Sequence, residues 1–124
     1  MSTDLLGKEL TEKVIGACYK VHNTLGQGFL ERVYENALYV ELRNQGIDVR
    51  QQVPIKVRYE SVEVGEFFAD LLVNDSLIVE LKATQGISKS HEMQLINYLK
   101  ATGITLGLLV NFGNRCEIRR KINT

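Results

Sequence analysis

Phe67-Phe68-Ala69-Asp70-Leu71-Leu72-Val73-Asn74-Asp75-Ser76-Leu77-Ile78-Val79-Glu80-Leu81-Lys82 is the stretch on which the fold turns. Two apolar, β-branched runs flank an Asn-Asp-Ser turn, which predicts a β-hairpin with a short loop. With a loop of Asn74 to Ser76, Val73 pairs with Leu77, and counting back sets Asp70 opposite Glu80. Strand side chains alternate, so Glu80 and Lys82 share a face while Leu81 points away. Asp70, Glu80 and Lys82 then lie within reach of one another. The shorter loop Asn74-Asp75 slips the register by one residue and sends Asp70 to the opposite face. Any chemistry shared by the two acids therefore requires the longer loop.

Neighbouring carboxylates repel, and burying them unpaired costs several kcal/mol. Lys82 would offset that cost as a half-buried ion pair. A divalent cation would also offset it, because hard oxygen ligands suit magnesium, which binds through one or two carboxylates and keeps several waters.

At 124 residues the chain is expected to be one domain over 1–124, with room for a real core. Apolar content of 44% and charged content of 24% are those of an ordinary globular protein. Fifteen Lys and Arg balance fifteen Asp and Glu, which argues against a general basic coat for nucleic acid and leaves room only for a local patch. Cys18 and Cys116 match no metal or redox spacing and are expected to be reduced thiols of a cytoplasmic protein. No apolar run is long enough to span a membrane, and the N-terminus has no signal-peptide pattern.

Val14, Ala17, Cys18, Val21 and Leu25 have helical spacing over 10–25, with Thr11 or Asp4 as a cap and Gly26-Gln27-Gly28 as the stop. His22 near that end is expected to be a surface or packing histidine. A second helix spans 29–44, with Leu30, Val33, Ala37 and Val40 as its apolar face and Leu38 and Leu42 extending it. Glu31 and Glu35 line up with Leu38 and Leu42. The helix dipole accounts for Glu31 in the first turn but less well for Glu35, a turn further in. Glu35 is thus a candidate for a polar cleft, with Arg32 or Arg43 as its simpler partner.

Val53, Ile55, Val57 and Tyr59 alternate with polar residues as a half-exposed strand, and Pro54 puts it at an edge. Residues 60–65 are expected to be a turn or short extension before the hairpin. A third helix spans 89–101, with Ser88 as N-cap and Gly103 as the residue beyond its end. Leu95, Leu99 and Thr102 follow one stripe, and His91, Gln94 and Tyr98 line up beside it. The continuous apolar run Leu106-Gly107-Leu108-Leu109-Val110 predicts a strand buried on both faces, parallel to its neighbour across the helix. A last strand, 116–122, gathers Arg119, Arg120 and Lys121 beyond Arg115 as the one clearly basic patch, as expected of a solvated edge strand.

An acidic helix, an Asp on one strand, Glu80-Leu81-Lys82 on the next and Gln94 four residues before Tyr98 on a helix form an ordered set. It resembles the PD-(D/E)XK nuclease superfamily, and within it the GxxExxY proteins, whose motif here reads Gly28-Phe29-Leu30-Glu31-Arg32-Val33-Tyr34. The likeness runs from Val21-His22 to Leu108-Leu109-Val110-Asn111-Phe112. Ala69 stands where the superfamily's motif has proline, and the side-chain chemistry does not need that proline. The resemblance implies a restriction-endonuclease-like core of the α/β class, an α+β mixed sheet flanked by helices in the order α-α-β-β-β-α-β-β. It further implies that Asp70 and Glu80 bind Mg2+ or Mn2+, with the Leu81 carbonyl as a further ligand, and that Lys82 positions the attacking water. Glu35 or Glu31 would add a helix-borne carboxylate, and Gln94 and Tyr98 would support the site or contact the nucleic-acid backbone.

Metal-dependent hydrolysis of a nucleic-acid phosphodiester is the leading expectation. The alternative is a non-cleaving module of the same fold that binds nucleic acid or a protein partner. Because backbone affinity comes from several Lys and Arg contacts, a neutral minimal domain would bind weakly, form a homodimer or rely on a partner. No membrane association is expected.

Overall fold

The computed structural model describes residues 7–123. Helix α1 (Lys8–Leu25) is followed by α2 (Glu31–Asn44), strands β1 (Val49–Tyr59), β2 (Val62–Val73) and β3 (Leu77–Lys82), helix α3 (Lys89–Thr102), and strands β4 (Leu106–Phe112) and β5 (Cys116–Ile122). This is the expected element order. The five strands form one mixed sheet in the order β1-β2-β3-β4-β5, antiparallel throughout except for β3 against β4. β1 with Pro54 is an edge strand, as proline's missing donor requires.

Alternation along the strands divides the core into two. Leu71, Val73, Leu77, Val79, Leu81, Leu108 and Val110 pack with Val14, Cys18, Val21, Tyr34, Leu38 and Leu42 of α1 and α2. Leu72, Ile78 and Leu109 turn the other way, onto Leu95, Tyr98 and Leu99 of α3. All seven residues of β4 are buried, the pattern of a strand covered on both faces. Gly107 lets α3 settle on β4, since a Cβ there would come within 2.8 Å of Leu95. Among the described residues no helix is long and apolar enough to cross a membrane.

The hairpin loop is the longer one. Val73 pairs with Leu77, Leu72 with Ile78 and Leu71 with Val79. Asn74 and Asp75 have φ of 56° and 54°, and the Ser76 N–H closes the turn on the Val73 carbonyl at 3.0 Å. Asx residues tolerate this left-handed backbone better than most.

Three expectations need correction. Helix α2 buries Tyr34, Glu35, Leu38 and Leu42, whereas Leu30, Val33 and Val40 are 80%, 38% and 54% exposed. Tyr34 decides the orientation: it is fully buried, its ring stacks on Phe112 at 4.6 Å, and its hydroxyl donates to the Gly26 carbonyl at 2.6 Å. Residues 62–65 belong to β2, and the connection from β1 is the tight turn Glu60-Ser61, both with positive φ. Thr11 lies inside α1, where its hydroxyl donates to the Lys8 carbonyl at 2.9 Å, and Gly7 is the N-cap. The other suggested cap, Asp4, lies outside the described residues. His22 packs as expected, against the Phe112 ring and 2.8 Å from the Gly113 carbonyl.

Candidate active site

Strands β2 and β3 part company just beyond the Leu71–Val79 pair. Two carboxylates occupy the gap. The Asp70 N–H donates to Glu80 Oε1 at 2.9 Å, and the Leu81 N–H donates to Asp70 Oδ2 at 2.8 Å. Each acid thus accepts a main-chain proton that ladder pairing would otherwise satisfy, which fixes both side chains without a rotamer search. The N–H and C=O of one strand residue point toward the same neighbouring strand, so the Leu81 carbonyl opens on the Asp70 side.

Glu80 is 4% exposed. Burial, and then the Asp70 charge beside it, push its carboxyl up to about 8. Lys82 does not neutralise the pair directly. Its Nζ donates to Gln94 Oε1 at 3.5 Å and makes no ion pair within 4 Å among the described residues. The ammonium still lies close enough to hold down the His91 imidazole, whose burial is the larger cause. Buried Glu80 and half-buried Asp70 lie side by side with no ion pair to either among the described residues, a hard oxygen donor set whose repulsion a divalent ion would relieve. No group of three or more His, Cys, Asp or Glu side chains converges as a metal cage among the described residues. Asp70 and Glu80 are the hard oxygen donors here that could hold a divalent cation.

Glu35 reaches the cluster from α2. It is 2% exposed and takes three partners: Gln51 Nε2 at 2.8 Å, Gln52 Nε2 at 2.8 Å, and Arg32 Nε at 3.7 Å. Arg32 is thus a partner, as expected, but not the main one. Gln52 also lies 3.3 Å from Asp70 Oδ1, linking the helix acid to the strand acid. Glu31, exposed in the first turn of α2, feels the site at longer range. Desolvation first, and then the Asp70 charge, raise its carboxyl. From α3, Tyr98 closes the opposite side, its phenol raised by burial and then by the charges of Glu80 and Asp70.

Gln51 and Gln52 were not legible as site residues, because successive residues of an extended strand face opposite ways. Gln52 has a φ of 52°. That single left-handed residue interrupts the alternation and lets both amides reach one carboxylate. The strained torsion of a non-glycine residue next to the acids is a signal visible only in the structure. Beyond the kink, Ile55 and Ala69 join the α3 core, whereas Val49 and Leu71 before it belong to the α1/α2 core.

The end of β3 is fixed from β4. Lys82 pairs with Asn111, whose buried amide accepts the Thr84 N–H at 2.9 Å and donates to the Thr84 carbonyl at 3.0 Å. Gly113 allows that approach, because a Cβ there would lie 2.5 Å from the Thr84 carbonyl oxygen.

A mixed five-stranded sheet between two helices and one, with acids at a strand fork, defines the restriction-endonuclease-like class. The chain belongs to the PD-(D/E)XK nuclease superfamily, whose family model matches residues 8–122. The crystal structure of SSO0001 is similar in fold, with a TM-score of 0.60 at 19% identity over 94% of this chain. The chain spans 58% of the length of that protein. No curated protein matches it.

Proposed function

We propose that the protein hydrolyses nucleic-acid phosphodiester bonds with the help of Mg2+ or Mn2+. The observation that carries this reading is the exchange of hydrogen bonds at the fork, which holds Asp70 and Glu80 side by side with Lys82 two residues on. Asp70 and Glu80, with the Leu81 carbonyl, would hold the ion. When bound, it lowers the pKa of its water and offsets the charge of the pentavalent transition state.

The chain's own side chains supply the rest. The Lys82 ammonium has three protons, of which Gln94 takes one. The others are free to orient the attacking water and to meet charge growing on the phosphoryl oxygens as the P–O bond breaks. Gln94 thereby positions Lys82, and Gln52 keeps Glu35 and Asp70 at a fixed spacing. Membership of the superfamily supports nuclease-like chemistry, and the neutral overall charge supports a short contact with substrate, not an extended one.

Metal titration followed by melting tests the reading. Millimolar Mg2+ or Mn2+ is expected to raise the Tm by mass action, and Asp70→Asn to remove that response. An unchanged melting curve would leave the acids without a metal and the proposal without a mechanism. Metal binding with no cleavage of single- or double-stranded DNA or RNA would identify the non-cleaving module instead.

A further inference from the structure

A groove of about 870 Å³ runs between α3 and the arm formed by β1 and β2. Lys56, Arg58 and Lys100 line it, together with Phe67, Gln94 and Tyr98, and among the described residues no carboxylate does. In a chain of zero net charge this is a local excess of cations. Glu66 and Glu63 stand across the strand pair from Lys56 and Arg58, yet no ion pair joins them. Phe67 is 46% exposed, and its ring lies 5.7 Å from that of Tyr98. Gln94 lines the groove and also accepts from Lys82, so one side chain links the groove to the lysine beside the fork.

We propose that this groove seats a single-stranded segment of nucleic acid, one base stacked on Phe67 and the flanking phosphates on Lys56, Arg58 and Lys100. The inference rests on the nuclease reading and narrows its substrate. An exposed aromatic face beside cations suits unpaired bases, because every base offers a π-face once it leaves the stack. In a duplex those faces are already covered by neighbouring base pairs, so Phe67 has nothing to meet. The groove then delivers the adjoining phosphodiester to Lys82.

Fluorescence anisotropy in EDTA, with 12-nucleotide oligothymidine and oligouridine and a 12-base-pair duplex as probes, tests the assignment. At least one single strand is expected to bind about tenfold tighter than the duplex. Phe67→Leu, which keeps apolar bulk but loses the ring, and Lys100→Glu on the exposed helix surface are each expected to weaken binding about fivefold, while Phe67→Tyr retains it. Equal affinity for duplex and single strand, or indifference to both Phe67→Leu and Lys100→Glu, would overturn the groove. So would a dimer, measured by light scattering, that Phe67→Leu dissociates, because the face would then be taken by a second copy. Manganese-dependent cutting of the duplex without single-strand affinity sinks this inference and leaves the nuclease reading intact. Single-strand binding that needs Phe67 and Lys100 but is never followed by cleavage does the reverse.

Discussion

The two ends of the β2–β3 pair are built for opposite purposes. At the turn end, Leu71, Val73, Leu77 and Val79 are fully buried and their backbones are paired in register. At the open end, one residue beyond the last pair, the space between the strands holds Asp70 and Glu80, and main-chain protons go to side chains. Burying a leucine stabilises the fold by roughly 1.5–3 kcal/mol, whereas crowding two carboxylates opposes folding. The apolar end supplies the stability that the acidic end consumes, and the same strands carry both.

The largest effect that would break this contrast is kinetic. Lys82→Ala is expected to reduce manganese-dependent cleavage about 100-fold or more while shifting the urea midpoint little, since Lys82 makes no ion pair among the described residues. Equal residual cutting in wild type and variant would expose a contaminant. At the apolar end, Leu71→Ala is expected to cost about 2–4 kcal/mol through the cavity it leaves, read as a lowered urea midpoint.

The acidic end is expected to respond in the opposite direction. In the folded protein Glu80 retains a proton that the unfolded chain releases above its ordinary value of 4.5. Raising pH therefore favours unfolding across the window from 4.5 to about 8, and the stability held below 4.5 is lost as that window is crossed. Glu80→Gln, which can still accept the Asp70 N–H, is expected to flatten this profile and to stabilise the metal-free protein above the window by about 2 kcal/mol. Parallel profiles for the two proteins would refute the raised Glu80 carboxyl.

Smaller effects sharpen the comparison. Gln52→Ala removes the link between Glu35 and Asp70 and is expected to slow cleavage about tenfold with KM nearly unchanged. A proportional rise in KM would assign Gln52 to substrate binding. Arg50→Ala deletes an exposed 2.6 Å pair with Asp75 at the turn. It is expected to change stability by less than about 0.5 kcal/mol.

How much of this the sequence reveals depends on whether local periodicity survives in the fold. The hairpin was legible from Asn-Asp-Ser between two apolar runs, but its register was not: a two- and a three-residue loop both fit the sequence, and the structure takes the longer. The buried run of β4 and the Ser88 cap were legible for the same local reason. The apolar face of α2 was not, because Leu30, Val33, Ala37 and Val40 form as good a stripe as Tyr34, Leu38 and Leu42. Contact with Phe112, far along the chain, chooses between them. Glu35 was legible as a buried acid from its alignment with Leu38 and Leu42, but its glutamine partners were hidden by a torsion that breaks the two-residue period. The strand reading of 62–65 was obscured by charged and glycine residues on an arm that leaves the rest of the sheet.

That torsion at Gln52 sets a condition on any transplantation of the site. Copying Asp70, Glu80 and Lys82 into a regular hairpin would carry over the reactive groups and leave the helix acid with a single amide, because an unkinked donor strand aims its next side chain the other way. A graft has to import the left-handed residue along with the acids, and a library that varies position 52 should keep glycine and asparagine among its choices.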